Sequence, residues 1–207
     1  MLYMFDFDGT IVNSKGITRK TIVKFLNEND IKFDEEEMFN KVFNSFEDMM
    51  SSFHERYFPA ITLEKFYDNV NVGTISEYVL LKPKEYFLEY LSTLEGKVII
   101  ATRNDQRVID AWLKASNLDI EVIAEEKINV RKDTIEFYDV MANMFNVEKS
   151  EMVLFEDNAK NIEAANKAGV KAVGLFAEQN EERLEMIKEN SVIVINDYDE
   201  LIGKNIV

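Results

Sequence analysis

The sequence predicts an α/β protein: a doubly wound, mainly parallel sheet of about six strands, interrupted early by an inserted helical domain. Three observations carry this reading. Short apolar runs recur through the chain, separated by helical stretches of ten residues or more. The runs are apolar throughout rather than alternating, which is the signature of strands buried on both faces. Between the first run and the second lies a long segment with helical spacing only.

Residues 2–7, rich in aromatic and aliphatic side chains, form the first expected strand. Residues 18 to about 72 then repeat apolar positions at helical spacing: Ile22, Phe25 and Leu26, followed by Met38, Phe39, Val42, Phe43, Phe46, Met49, Met50 and Phe53. Thr18 and Asp34 are the expected N-caps, and Glu35, Glu36 and Glu37 suit the positive end of a helix. A further helix is expected from Pro83 through Tyr86, Phe87, Tyr90, Leu91 and Leu94, ended by Gly96. Strands follow at 98–101, 120–124, 152–155, 172–176 and 192–195, with an amphipathic helix at 135–145 among the connections. In such a sheet, ligands gather beyond the carboxyl ends of the strands, so polar residues there are the candidate site.

Composition narrows the chemistry. The chain has 207 residues, 46% of them hydrophobic, enough for one domain or one domain with an insertion. It has no cysteine, which removes thiolate nucleophiles, thiolate metal sites and disulfides. His54 is its single histidine, so any metal is held by oxygen, which favours magnesium, calcium or manganese. A net charge of −15 without a basic stripe argues against nucleic acid as a partner. No apolar run approaches the ~18 residues of a membrane span, and the N-terminus lacks the pattern of a signal peptide. A cytoplasmic protein with no membrane partner is expected.

The first strand ends abruptly in Asp6 and Asp8, followed by Gly9 and Thr10. Ionised carboxylates beside a buried strand are costly unless a cation pairs with them. The strand at 98–101 ends in Thr102, Arg103 and Asn104: a hydroxyl, backbone donors and a guanidinium that together make an anion cradle. Lys132 follows Arg131 just before the helix at 135–145. The strand at 152–155 ends in Glu156 and Asp157, again acids that a hard cation would reconcile.

These four segments in this order resemble the haloacid dehalogenase-like superfamily, whose phosphatases carry Asp-x-Asp-Gly-Thr after the first strand. Thr102 stands at the second motif, Lys132 at the third and the Glu156–Asp157 pair at the fourth. Ala164, Ala165, Ala168 and Gly169 resemble the family's helix and turn after that pair, and residues 191–202 its last strand and terminal helix. The resemblance implies a haloacid dehalogenase-like core at 1–13 and 82–207, with residues 14–81 as a helical C1-type cap that closes over the site and selects the substrate. It implies a covalent two-step phosphoryl transfer. Asp6 is the nucleophile and Asp8 the acid and base; Thr102, Arg103 and Lys132 bind the substrate. The implied cofactor is Mg2+, held by Asp6, the Asp8 main-chain carbonyl, Glu156 and Asp157.

The expected activity is hydrolysis of a small phosphomonoester by a monomer or small homo-oligomer whose partner is a small phosphorylated metabolite. A phosphomutase of the β-phosphoglucomutase type and a non-catalytic binding protein are the alternatives; Thr10 speaks against the mutase. Arg103 stands where many relatives have Asn, and Asp133 replaces the Pro that often follows the motif-three lysine. Arg19, Lys20, Lys41, His54 and Arg56 are the candidate cap contacts to the leaving group, with His54 expected on a helix surface. The stretch around Asn44, Ser45 and Phe46 lacks the family's usual specificity-loop glycine.

Overall fold

The computed structural model describes residues 1–39, 46–176 and 178–204. Lys41 and the Asn44–Ser45 stretch therefore lie outside the described residues. The chain divides into two compact units, Met1–Ser14 with Leu81–Val207, and Lys15–Leu80. The first unit is built on six strands: β1 (Leu2–Phe5), β2 (Lys97–Thr102), β3 (Glu121–Ala124), β4 (Met152–Glu156), β5 (Lys171–Leu175) and β6 (Ile193–Ile195). They pair in the order β3-β2-β1-β4-β5-β6, every pair parallel, so the sheet is wholly rather than mainly parallel. The chain winds outward from β1 to one edge and returns at β4 to wind toward the other. The β1/β4 boundary is thus the switch point at which such sheets bind ligands.

The helical unit contains α1 (Ile17–Glu28), α2 (Glu35–Phe39), α3 (Phe46–Tyr57) and α4 (Leu63–Tyr78). Its core joins Ile22 and Leu26 to Met38, Met50, Phe53, Phe66 and Val70. Phe58 bridges α1 and α4 by packing on both Phe25 and Phe66, at centroid separations of 4.8 and 5.2 Å. Gly73 permits close approach of the same two helices, since a Cβ there would lie 2.8 Å from the Thr21 methyl. The helical region runs beyond residue 72, because α4 continues to Tyr78. α1 starts at Ile17 behind Gly16, whose φ of 83° makes the left-handed entry, so Thr18 lies inside the helix and is not its cap.

Among the described residues, six more helices belong to the first unit: α5 (Phe87–Thr93), α6 (Gln106–Ser116), α7 (Glu125–Ile128), α8 (Ile135–Phe145), α9 (Ala159–Ala168) and α10 (Leu184–Asn190). Side chains alternate across each strand. Leu2, Met4, Ile99, Ala101, Met152 and Leu154 belong to one cluster with Phe137, Tyr138 and Met141 of α8, Ile162 of α9 and Ile187 of α10. Phe5 instead stacks on Phe155 at 4.1 Å and meets Phe87 of α5 and Tyr198. Phe7 packs edge-on against Trp112 of α6, whose indole N–H donates to the Leu81 carbonyl at 2.9 Å. Among the described residues, no helix is long and apolar enough to cross a membrane.

Three expected boundaries move. The first strand stops at Phe5, freeing Asp6 to Asp8 for the site loop. Pro83 pairs with Val12 in an antiparallel bridge and the Lys84 N–H donates to the Ile11 carbonyl at 2.7 Å, so α5 begins only at Phe87. Proline's fixed φ suits an extended segment as well as a helix start, and the sequence pattern does not separate the two. The expected terminal helix is a single 3-10 turn, Tyr198–Leu201.

Candidate active site

The alternation that packs the sheet also aims the acids. Asp6 continues the side-chain row of Leu2 and Met4, and Glu156 continues that of Met152 and Leu154. The Asp6 N–H donates to the Phe155 carbonyl at 2.9 Å, which extends the β1–β4 pairing by one residue and sets the two carboxylates side by side at the strand ends. Asp157 follows directly, and one carboxylate oxygen from each of Asp6, Glu156 and Asp157 lies within 4.8 Å of the others. Burial drives the Asp6 carboxyl well above the usual range, reinforced by the charges of Glu156, Asp157 and Asp8 and opposed by Lys132. An oxygen-only donor set with this surplus of negative charge fits a hard divalent cation.

Lys132 enters from the loop between α7 and α8 and is completely buried. Its ammonium donates to Asp6 Oδ1, to Glu156 Oε2 at 2.9 Å and to the Ala101 carbonyl at 2.8 Å. An ammonium carries three protons, so every donor is used. Burial alone pulls its pKa down, but Asp6 and Glu156 push it above the ordinary lysine value. Its own backbone N–H is held by Glu125 Oε1 at 2.8 Å. Arg131 turns outward into a two-point pair with Asp133, at 2.9 and 2.6 Å, so of the two neighbouring cations it is Lys132 that meets the acids.

Glu156 is equally saturated. Oε1 accepts the N–H groups of Asp157 and Asn158 at 3.1 and 3.0 Å. Oε2 accepts Lys132 and the Asn161 side-chain amide, the latter also at 2.9 Å.

Asp8 sits in a loop closed by the Gly9 N–H on the Val12 carbonyl at 2.8 Å. The Asn104 amide donates to Asp8 Oδ2 at 2.9 Å, while the Asn104 backbone N–H donates to Thr102 Oγ1 at 3.0 Å. The Thr102 hydroxyl thus accepts from the chain and keeps its own proton to donate. Arg103 is half exposed and turned toward Glu125, with Nε 3.6 Å from Oε2. The Lys84 ammonium is pulled down by burial and pushed partway back by the charges of Asp157 and Asp197.

Within the helical unit, Arg19 pairs with Glu35 at 2.8 Å and Lys20 with Glu77 at 2.5 Å. Arg56 lies 5.2 Å from the Tyr57 ring centre. His54 is half-buried rather than a surface residue; its Nε2 lies 2.6 Å from the Ile61 carbonyl and its ring is beside Phe66. Sequence reasoning missed Asn161, Glu125 and Lys84 altogether. It quoted Asn104 only as part of a cradle, although a polar amide directly after a buried strand is a usable signal.

Residues 3–175 match the sequence profile of the haloacid dehalogenase-like hydrolases. Among curated proteins, none matches. Among solved structures, a Thermotoga maritima protein provisionally assigned as a β-phosphoglucomutase is similar over 94% of this chain and 93% of its own, with a TM-score of 0.73 and 20% identity. Rhodobacter sphaeroides CbbY, solved with xylulose-(1,5)bisphosphate, is similar over 97% and 95%, with a TM-score of 0.74 and 13% identity. An Entamoeba histolytica haloacid dehalogenase-like hydrolase of family IA is similar over 96% and 94%, with a TM-score of 0.73 and 16% identity. At these identities the likeness is one of fold.

Proposed function

The chain belongs to the haloacid dehalogenase-like hydrolases, and from that premise we propose a magnesium-dependent phosphatase that cleaves a small phosphomonoester through an aspartyl-phosphate. The observation that carries the reading is the convergence of Asp6, Glu156 and Asp157 within 4.8 Å around a fully buried lysine. Asp6 attacks phosphorus in line; its Oδ–P bond forms as the bond to the leaving oxygen breaks. Asp8, oriented by Asn104, gives its proton to that oxygen and later takes one from the water that hydrolyses the intermediate. Thr102 donates to a phosphoryl oxygen, and Arg103 is available to a further anionic group of the substrate. Lys132 fixes the nucleophile and offsets its charge.

Asp6, the Asp8 main-chain carbonyl and Asp157 would hold Mg2+, with Glu156 contributing charge at the same place; bound there, the ion would neutralise the acids and the phosphoryl dianion. Residues 14–81 take the part of the cap and select the leaving group.

Purified protein is expected to hydrolyse p-nitrophenyl phosphate in the presence of Mg2+, and Asp6→Asn to abolish turnover without loss of fold. Wild-type inactivity across a broad phosphomonoester panel would refute the proposal. Isomerisation of a hexose 1-phosphate faster than its hydrolysis would replace it with the mutase reading.

A further inference from the structure

Among the buried polar side chains that the mechanism above leaves unused, one touches the acid cluster directly. Asn161 lies in the first turn of α9 and is 2% exposed. Around it on the buried face of the helix are Ala159, Ile162, Ala164, Ala165 and Ala168, so an apolar residue would be the ordinary occupant. Its amide nitrogen donates to Glu156 Oε2 at 2.9 Å, whereas its amide oxygen is buried with no partner. Turning the amide over would face two oxygens against each other, so the orientation is forced by Glu156. Tyr138 clamps the same residue from α8, donating its hydroxyl to the Asn161 main-chain carbonyl at 2.9 Å. A buried oxygen left unpaired costs stability. The other end of the amide supplies what offsets it.

We propose that Asn161 is a positioning residue for phosphoryl transfer, acting through Glu156 on Lys132 and so on the nucleophile Asp6. Glu156 Oε2 accepts from two donors, Lys132 and Asn161, and its Oε1 is fixed by two backbone N–H groups. With Asn161 in place the carboxylate has a single rotation, and the ammonium it holds is locked against Asp6 and Ala101. Without the amide, Oε2 keeps only the lysine, and the carboxylate can turn about its two backbone N–H bonds, carrying the ammonium off its alignment with Asp6. The inference rests on the phosphatase reading, because it assigns Asn161 a task in that reaction.

The test is Asn161→Leu, which keeps approximate size, with Asn161→Ala as the second variant should the first fail to fold. Turnover of p-nitrophenyl phosphate with Mg2+, melting temperature, and the affinity for beryllium fluoride with Mg2+, a mimic of the phosphorylated aspartate, are measured on each. The expected result is a kcat lower by roughly tenfold or more at a KM within about twofold, and a matching loss of beryllium fluoride affinity. The melting temperature should change little, since the lost hydrogen bond is offset by removal of the unpaired oxygen. An unchanged kcat in a folded variant, or a large fall in melting temperature with full turnover below it, overturns the assignment and leaves the phosphatase reading intact. Inactive wild-type protein overturns the phosphatase reading itself.

Discussion

Replacing Lys132 by methionine removes a charge that the protein has buried completely. The apolar volume is nearly kept, so the cost is electrostatic. Asp6 and Glu156 lose their shared cation, and the Ala101 carbonyl loses its donor. Removing one partner of a buried ion pair costs about 3–5 kcal/mol. For a chain of this length each kcal/mol lowers the melting temperature by about 2–4 °C, so the expected fall is roughly 6–20 °C.

The sign with pH follows from which groups titrate. The lysine's own value is raised, so its stabilisation is complete below the ordinary lysine pKa and is lost only as pH rises past the raised one. Asp6 is also raised, so its contribution is favourable when protonated and is lost as pH rises through its folded value. The deficit of Lys132→Met should therefore be full at neutral pH and shrink on acidification, as protons replace the missing cation. Thermal unfolding by circular dichroism in EDTA, run against pH for both proteins, measures it. A neutral-pH fall of less than about 3 °C, or a deficit that grows on acidification, would refute the electrostatic account.

Tyr86 sits at φ 59° as the N-cap of α5, a left-handed position that strains a bulky side chain, and it is 42% exposed. Tyr86→Gly should raise stability by about 1–2 kcal/mol, read as a higher melting temperature. Asn104→Ala removes one hydrogen bond that orients the Asp8 carboxylate and should lower kcat by roughly ten- to a hundredfold while circular dichroism stays unchanged. Because Mg2+ competes with the proton on Asp6, whose pKa is raised, the melting-temperature rise it produces should grow as pH rises above the ordinary carboxylate range. Gly96→Ala should destabilise the sheet, since a Cβ there would lie 2.7 Å from the Met1 carbonyl oxygen at a φ of 155°.

The strand sequence and the acids at the strand ends were legible because both depend on local pattern. An apolar run buried on both faces announces a strand, and a carboxylate at its end announces the polar rim. Asp6, Thr102, Glu156 and Asp157 were found this way, and Lys132 through the family resemblance. What was not legible depends on pairs distant in sequence. Nothing around Asn161 distinguishes it from a solvated asparagine in an alanine-rich helix, and it is buried only because α9 lies against β4 and α8. Glu125 opens the short helix α7, and its task of holding the Lys132 N–H appears only when the loop between them closes. The start of α5 was misplaced for the same reason: Pro83 is extended because Val12, far away in the chain, pairs with it.

These non-local pairs also divide the labour among acids that the sequence presents as equivalent. Asp6 faces Glu156, Asp157 and Asp8 with one buried lysine against them, so the cluster is over-charged by its own geometry. Glu156 meets this by accepting four N–H donors, which ties its charge to the scaffold and to Lys132. Asp157 is less buried than Asp6 and Glu156. If that division holds, Glu156→Gln and Asp157→Asn should separate in a metal titration followed by melting temperature. Asp157→Asn should weaken Mg2+ binding by at least roughly tenfold, because it removes the charge of one of the three converging carboxylates. Glu156→Gln should instead lower stability without metal, since its amide would set a donor against both Lys132 and Asn161. Equal metal affinities in the two variants would show that the four donors on Glu156 leave it as much a ligand as its neighbour.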